Sequence, residues 1–201
     1  MADQVLSGDT NEPFVIMLML ELDDSAEKFL QSAKDIIKDE EVHEACIQPP
    51  GTYHFTLCSG LTGEQAESIL NDVRYGRWAL QLLDKHPIDL GDWNSFTSAA
   101  CLAPRNVENV LNPILKDILK DLQDQLNVTC PGKQVTEAIN LHMSVYRMRA
   151  PGNYEEGNRR KEVFNRCRDL PQKIGRGSVL CTSIVLKRAA NPYDSLHMKE
   201  L

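Results

Sequence analysis

Apolar and polar residues follow two rhythms along this chain, and the switches between them mark its elements. Phe14 to Leu22 is a nearly unbroken apolar run ending at Asp23-Asp24, the pattern of an interior strand covered on both faces. The period then changes. Ala26, Phe29, Leu30, Ala33, Ile36 and Ile37 recur at helical spacing with Glu, Lys and Asp between them, and Asp24 with Glu27 forms a capping-box pair. Pro49-Pro50-Gly51 forces a turn, so Tyr53 to Cys58 is expected as a strand. Thr62 and Gln65 cap a second helix whose apolar face is Ala66, Ile69, Leu70 and Val73.

Strands are expected near 78–83, 88–96 and 97–103. The stripe Val107, Val110, Leu111, Ile114, Leu115, Ile118, Leu119, Leu122 and Leu126 predicts a long amphipathic helix packed on the core. Pro113 either opens that helix with Asn112 as its cap, or follows a short turn around Asn106 with a kink. A strand is expected within Asn140 to Met148, then a loop from Ala150 to about Gly177, then a β-branched strand from Ser178 to Leu186. The loop carries Arg159, Arg160, Lys161, Arg166 and Arg168 and is expected as a solvated basic face. No linker-like stretch divides the chain, so residues 1–201 are expected to form one domain with residues 1–12 flexible.

Charge and cysteine usage narrow the function classes. The formal net charge of −7 argues against gripping long duplex nucleic acid, which needs a basic footprint, but leaves a small nucleotide or an RNA end open. The six cysteines include no C-x-x-C pair, so neither a zinc knuckle nor a redox dithiol is signalled, and a reduced, cytoplasmic protein is expected. The start lacks a basic leader and the apolar run from Phe14 to Leu20 is too short to span a membrane. A monomer without a membrane partner is expected.

The chemistry lies in two echoes 88 positions apart, His54-Phe55-Thr56-Leu57 and His142-Met143-Ser144-Val145. With five His and 19 Ser plus Thr, about half of one bare His-x-Ser/Thr match is expected by chance; requiring apolar residues at the second and fourth positions lowers this to about 0.1. Two occurrences on expected strands therefore carry weight. Alternation places each imidazole and its hydroxyl on one strand face and the two apolar residues on the other. His86 precedes Pro87, His197 lies in the polar tail, and neither carries the pattern.

Paired imidazoles suit displacement at phosphorus. One removes a proton from the attacking oxygen while the other protonates the leaving oxygen, and unperturbed imidazoles titrate close enough to neutrality for both roles. Thr56 and Ser144 would hold the non-bridging oxygens, so the scheme needs neither a metal nor another cofactor. Tyr146 shares the face of His142 and Ser144 by alternation, whereas Arg147 points away unless the strand bulges.

These residues resemble the two-histidine phosphoesterase superfamily, defined by paired His-x-Thr/Ser-x motifs on two related lobes. The resemblance runs from Phe14 to Leu201. It includes the opening strand and helix, the proline turn before motif one, the long helix before motif two and the closing strand. The segment Asn191-Pro192-Tyr193-Asp194-Ser195-Leu196 resembles the family's tail, in which a Tyr lies near the cleft, and Arg147 matches a frequent family position. Motif one continues as Cys58-Ser59-Gly60-Leu61 where many relatives have an aromatic-Leu-Gly run, and the segment 150–177 is long for the family.

The resemblance implies an α+β fold in two lobes, with antiparallel sheets around a central groove, helices outside and a pseudo-twofold axis placing His54 opposite His142. It implies a metal-independent phosphodiesterase acting on a 2′,3′-cyclic phosphate or a 2′,5′-linked nucleotide or RNA end. The expected catalytic residues are His54, His142, Thr56 and Ser144, with His142 as base and His54 as acid, and Tyr146 and Tyr193 as substrate-binding residues. A pseudo-symmetric groove leaves the reverse acid–base order open. The competing readings are a non-catalytic nucleotide sensor or scaffold using the same groove, and an interaction domain docking through the 107–126 helix.

Overall fold

The computed structural model describes residues 13–39, 48, 51–70, 87–96, 99–104, 113–147, 152–169, 177–188 and 199–200. Seven strands are described: β1 (Phe14–Leu22), β2 (His54–Leu61), β3 (Ile88–Ser95), β4 (Ala99–Pro104), β5 (Met143–Arg147), β6 (Ser178–Arg188) and β7 (Lys199–Glu200). The described α-helices are α1 (Asp24–Asp39), α2 (Gly63–Leu70), α3 (Pro113–Thr129) and α4 (Tyr154–Arg166). The fold is α+β, and every pairing among the described strands is antiparallel.

The order of β1 to β6 repeats one unit twice: strand, helix, strand, helix, strand. Within each unit the first two strands pair, β1 with β2 and β4 with β5. The third strand crosses over. β3 pairs with β4 of the second unit, and β6 pairs along nine register positions with β1 of the first. Shorter ladders, one pair between β2 and β5 and two between β3 and β6, join the resulting groups β2-β1-β6 and β5-β4-β3. Pairing therefore runs in a closed circuit, β1-β2-β5-β4-β3-β6 and back to β1.

Burial explains why these segments take these shapes. Phe14, Ile16, Leu18 and Leu20 of β1 share a core with Phe29, Leu30, Ala33 and Ile37 of α1 and with Leu115, Ile118, Leu122 and Leu126 of α3. The opposite face of β1 turns Val15 and Met17 toward Val185 in a separate small cluster. Both faces of β1 are thus covered, as its continuous apolar run requires.

Helix starts refine the sequence reading. Thr62 and Gln65 form a reciprocal box: the Thr62 amide donates to Gln65 Oε1 at 3.0 Å and the Gln65 amide to Thr62 Oγ1 at 3.3 Å. At α1 the cap is Asp23 rather than Asp24, because Asp23 Oδ1 accepts from the Ala26 amide at 2.7 Å. Asp23 Oδ2 also accepts from the Ser178 amide and hydroxyl, tying the helix start to β6. Gly177 beside it has φ +72°, and a Cβ there would collide with the Ala26 backbone. Pro113 is the first residue of α3, the position where proline's missing N–H costs nothing.

One expected loop is a helix. Residues 154–166 form α4, followed by a 3₁₀ turn at Cys167–Asp169. Asn153 caps α4 by accepting from the Glu156 amide, and Gly157, Val163 and Phe164 form its buried side. With so few apolar residues among many charges, helical periodicity is faint in the sequence. The expected strand at 78–83, the start of the 107–126 stripe and residues 1–12 lie outside the described residues.

Candidate active site

Strands β2 and β5 meet at the pair Phe55–Met143, both fully buried in the core. Antiparallel geometry then sets His54 beside Ser144 and Thr56 beside His142 on the opposite face. The two imidazoles are diagonal neighbours, a relation that sheet geometry sets at about 7–8 Å between backbone positions. His54 and Ser144 are buried, while Thr56 and His142 are half-buried.

Each imidazole is oriented by a backbone carbonyl two residues earlier. His54 Nδ1 lies 2.8 Å from Thr52 O, and His142 Nδ1 lies 2.7 Å from Asn140 O. A carbonyl only accepts, so Nδ1 carries the proton and, in the neutral ring, Nε2 carries the lone pair. The match extends outward. The Gln48 amide donates to Val145 O at 3.0 Å, and the Thr136 amide donates to Leu57 O at 2.6 Å. Every one of these positions has its counterpart 88 residues away: 48 and 136, 52 and 140, 54 and 142, 57 and 145.

The fourth residue of each motif is also an extra residue in its strand. On β2 the partners of Ile16 and Met17 are Cys58 and Thr56, which skips Leu57. On β5 the partners of Ala100 and Cys101 are Tyr146 and Ser144, which skips Val145. Each bulge reverses the alternation beyond it. Tyr146 consequently enters the core, fully buried with its ring 5.2 Å from that of Phe164, and does not share the face of His142 and Ser144. Its expected place on the substrate face is corrected by this one-residue shift.

The same shift turns Arg147 toward the site. Arg147 Nε donates to Ser144 Oγ at 3.0 Å. That bond occupies an acceptor position of the hydroxyl and leaves its proton to donate elsewhere. The counterpart of Arg147 in the first half is Ser59, which is exposed, so the two hydroxyls differ in electrostatic setting. Cys101, opposite Ser144, is fully buried, and burial pushes its thiol up to about 11 against the opposing pull of the Arg147 charge. An inert thiol there is shape, not nucleophile.

Met17 stands opposite Thr56, and Met19 opposite His54. Met19 also lines a cavity of about 380 Å³ where β2 departs from β1, with Leu22, Gly51, Tyr53, Thr182 and Ser183 among its walls. Among the described residues no three His, Cys, Asp or Glu side chains converge as a metal-binding group. Tyr193 lies outside the described residues. The sequence marks the supporting residues Gln48, Thr52 and Asn140 only through the 88-residue spacing, which pairs Gln48 with Thr136 and Thr52 with Asn140, all polar.

No protein-family model matches this sequence, and no curated protein matches it. Solved structures do. The chain resembles Usb1 of Kluyveromyces marxianus with a TM-score of 0.51 at 15% identity, covering 90% of this chain and 96% of that one. A second structure of the same yeast protein, with uridine monophosphate, gives a TM-score of 0.53 at 14% identity over the same shares. The chain therefore shares the fold of that yeast protein over nine-tenths of its length.

Proposed function

We propose that this protein is a metal-independent phosphodiesterase that hydrolyses a 2′,3′-cyclic phosphate or a 2′,5′-linkage at a nucleotide or RNA end. The observation carrying this reading is the repeated His geometry. Two imidazoles, each tied through Nδ1 to a backbone carbonyl, share one sheet face with Thr56 and Ser144 across the Phe55–Met143 pair. The repeated element order and the paired bulges support two pseudo-twofold lobes with the site between them.

In the proposed reaction, the Nε2 lone pair of one neutral His removes a proton from the attacking water as its oxygen bonds to phosphorus. The second His, protonated, gives its Nε2 proton to the ribose oxygen as the P–O bond breaks, leaving a phosphomonoester and a free hydroxyl. His142 is assigned as base and His54 as acid. Thr56 and the Arg147-braced Ser144 donate to the non-bridging oxygens, where negative charge builds. The cavity lined by Met19, the ladder partner of His54, has a volume within the range of small-ligand sites, and none of His54, Thr56, His142 and Ser144 is among its walls. A uridine monophosphate complex of a protein with this fold agrees with a nucleotide ligand.

The test is a panel of 2′,3′-cyclic nucleotides and 2′,5′-linked oligonucleotides assayed in excess chelator, with a His54→Ala/His142→Ala double variant as blank. Turnover in chelator with a bell-shaped pH profile is the expected result. Loss of all turnover in chelator, restored by a divalent cation, would sink the metal-free reaction. Nucleotide binding without turnover across the panel would make the groove a sensor rather than an active site.

A further inference from the structure

The two imidazoles share one geometry but not one means of support. Asn140, whose carbonyl orients His142, closes the 3₁₀ turn Ala138–Asn140: its amide donates to Glu137 O at 2.8 Å and its Nδ2 to Glu137 Oε2 at 3.3 Å. A local turn thus sets the direction of that peptide plane. Thr52, whose carbonyl orients His54, follows Gly51 at φ +78° in a stretch assigned to neither helix nor strand. Its carbonyl has a different brace. Gln48 Nε2 lies 3.3 Å from Thr52 O and 2.6 Å from Thr52 Oγ1.

Gln48 is only 2% exposed, and its buried Oε1 has no hydrogen-bond partner among the described residues. Turning the amide over would aim Oε1 at the Thr52 carbonyl, two acceptors face to face, so the nitrogen belongs where it is. The backbone of Gln48 is engaged as well. Its amide holds the bulge carbonyl of Val145, and its carbonyl accepts from Tyr53 OH at 3.4 Å, while Tyr53 OH accepts from the buried Lys34 ammonium at 2.6 Å.

We propose that Gln48 is a positioning residue serving both motifs at once. Its side chain aims the Thr52 carbonyl that fixes the ring of His54, and its amide pins the β5 bulge that presents Arg147 to Ser144. In the first half it does for Thr52 what a local turn does for Asn140 in the second. The catalytic part of this inference rests on the proposed phosphodiesterase reading; the orientation of the His54 ring does not.

Gln48→Met tests the side-chain arm, because it keeps the volume and the backbone amide but removes the Nε2 donor. The ring nitrogen signals of ¹⁵N-labelled protein are the primary readout. The expected result is a His54 Nδ1–H signal that exchanges faster with solvent and a ring that populates both tautomers, with the His142 ring unchanged. Turnover on the best cyclic or 2′,5′-linked substrate should show kcat falling about tenfold with KM within about twofold, as expected for a misaimed group. A His54 ring indistinguishable from wild type in folded Gln48→Met protein overturns the proposal, whatever the activity. Should Gln48→Met not fold, Thr52→Val removes the Oγ1 anchor of Gln48 while leaving the carbonyl. The same change at His54 is expected there, and an unaltered ring overturns the proposal equally.

Discussion

The two halves of the site carry the same four-residue grammar but finish it differently. In the first, bulge reversal ends at the exposed Ser59, and His54 is buried with its carbonyl partner braced from Gln48. In the second, the same reversal brings Arg147 onto Ser144, and His142 is half-buried above a self-contained turn. Symmetry in the backbone thus coexists with asymmetry in charge and exposure. For the proposed phosphodiester substrate, the side chains outside the motifs are where one leaving oxygen would be distinguished from another.

Replacing either imidazole should test the symmetry most severely. His54→Ala and His142→Ala are each expected to lower kcat by about 10² to 10⁴-fold, with thermal unfolding little changed. The double variant should lose little more than the worse single one, because the two act as a unit. A variant retaining most activity would show that only one half does chemistry.

The hydroxyls should reveal the asymmetry. Ser144→Ala is expected to cost about 10² to 10³-fold in kcat, the scale for removing one donor to a developing oxyanion. Thr56→Ala should cost about tenfold less, since among the described residues no neighbour equivalent to Arg147 holds its hydroxyl. Equal losses would mean that Arg147 adds nothing to Ser144. Smaller again, Tyr146→Phe should leave kcat within about twofold while lowering stability by about 1 kcal/mol through loss of a buried hydroxyl, read by urea unfolding. A collapse of kcat there would return Tyr146 to the substrate face.

The last expected effect leaves catalysis aside and concerns the fold of the first half. Burial, the largest single influence on the Asp23 carboxyl, raises its pKa. The Ala26 amide, the Ser178 hydroxyl and amide and the Ser25 amide together outweigh it and hold the group below its ordinary range. A lowered folded value means that this stabilisation is fully present above the ordinary carboxylate range and is lost as pH falls through the folded value. Asp23→Ala should therefore cost about 1 kcal/mol at pH 7 and progressively less in acid, measured by urea unfolding across pH.

Much of this architecture is legible in the sequence wherever one rhythm runs long enough. Strand β1, helices α1 and α3, and the strands bearing both motifs follow from apolar spacing, and the histidine pairing follows from the repeated tetrapeptide. Alternation failed just beyond motif two. Val145 is an ordinary strand residue, and nothing local marks it as the inserted one; only the register against β4 shows that Tyr146 turns inward and Arg147 outward. Helix α4 escaped for a different reason, since its start signal, Asn153 with Glu156, precedes a segment with two buried apolar side chains, Val163 and Phe164, rather than a stripe. Local patterns state faces, whereas the exchange of third strands is a long-range choice that no window contains.

That exchange has a consequence for how the chain can be divided. Each strand-helix-strand-helix-strand unit lends its last strand to the other, so a fragment ending near residue 98 would keep β1 and β2 but lose the nine-position ladder with β6. It would display an open strand edge, the template on which chains aggregate. Two complementary fragments, by contrast, would each hold the edge the other lacks. Co-expressed halves should reassemble into a soluble whole, each supplying the last strand that the other's sheet requires.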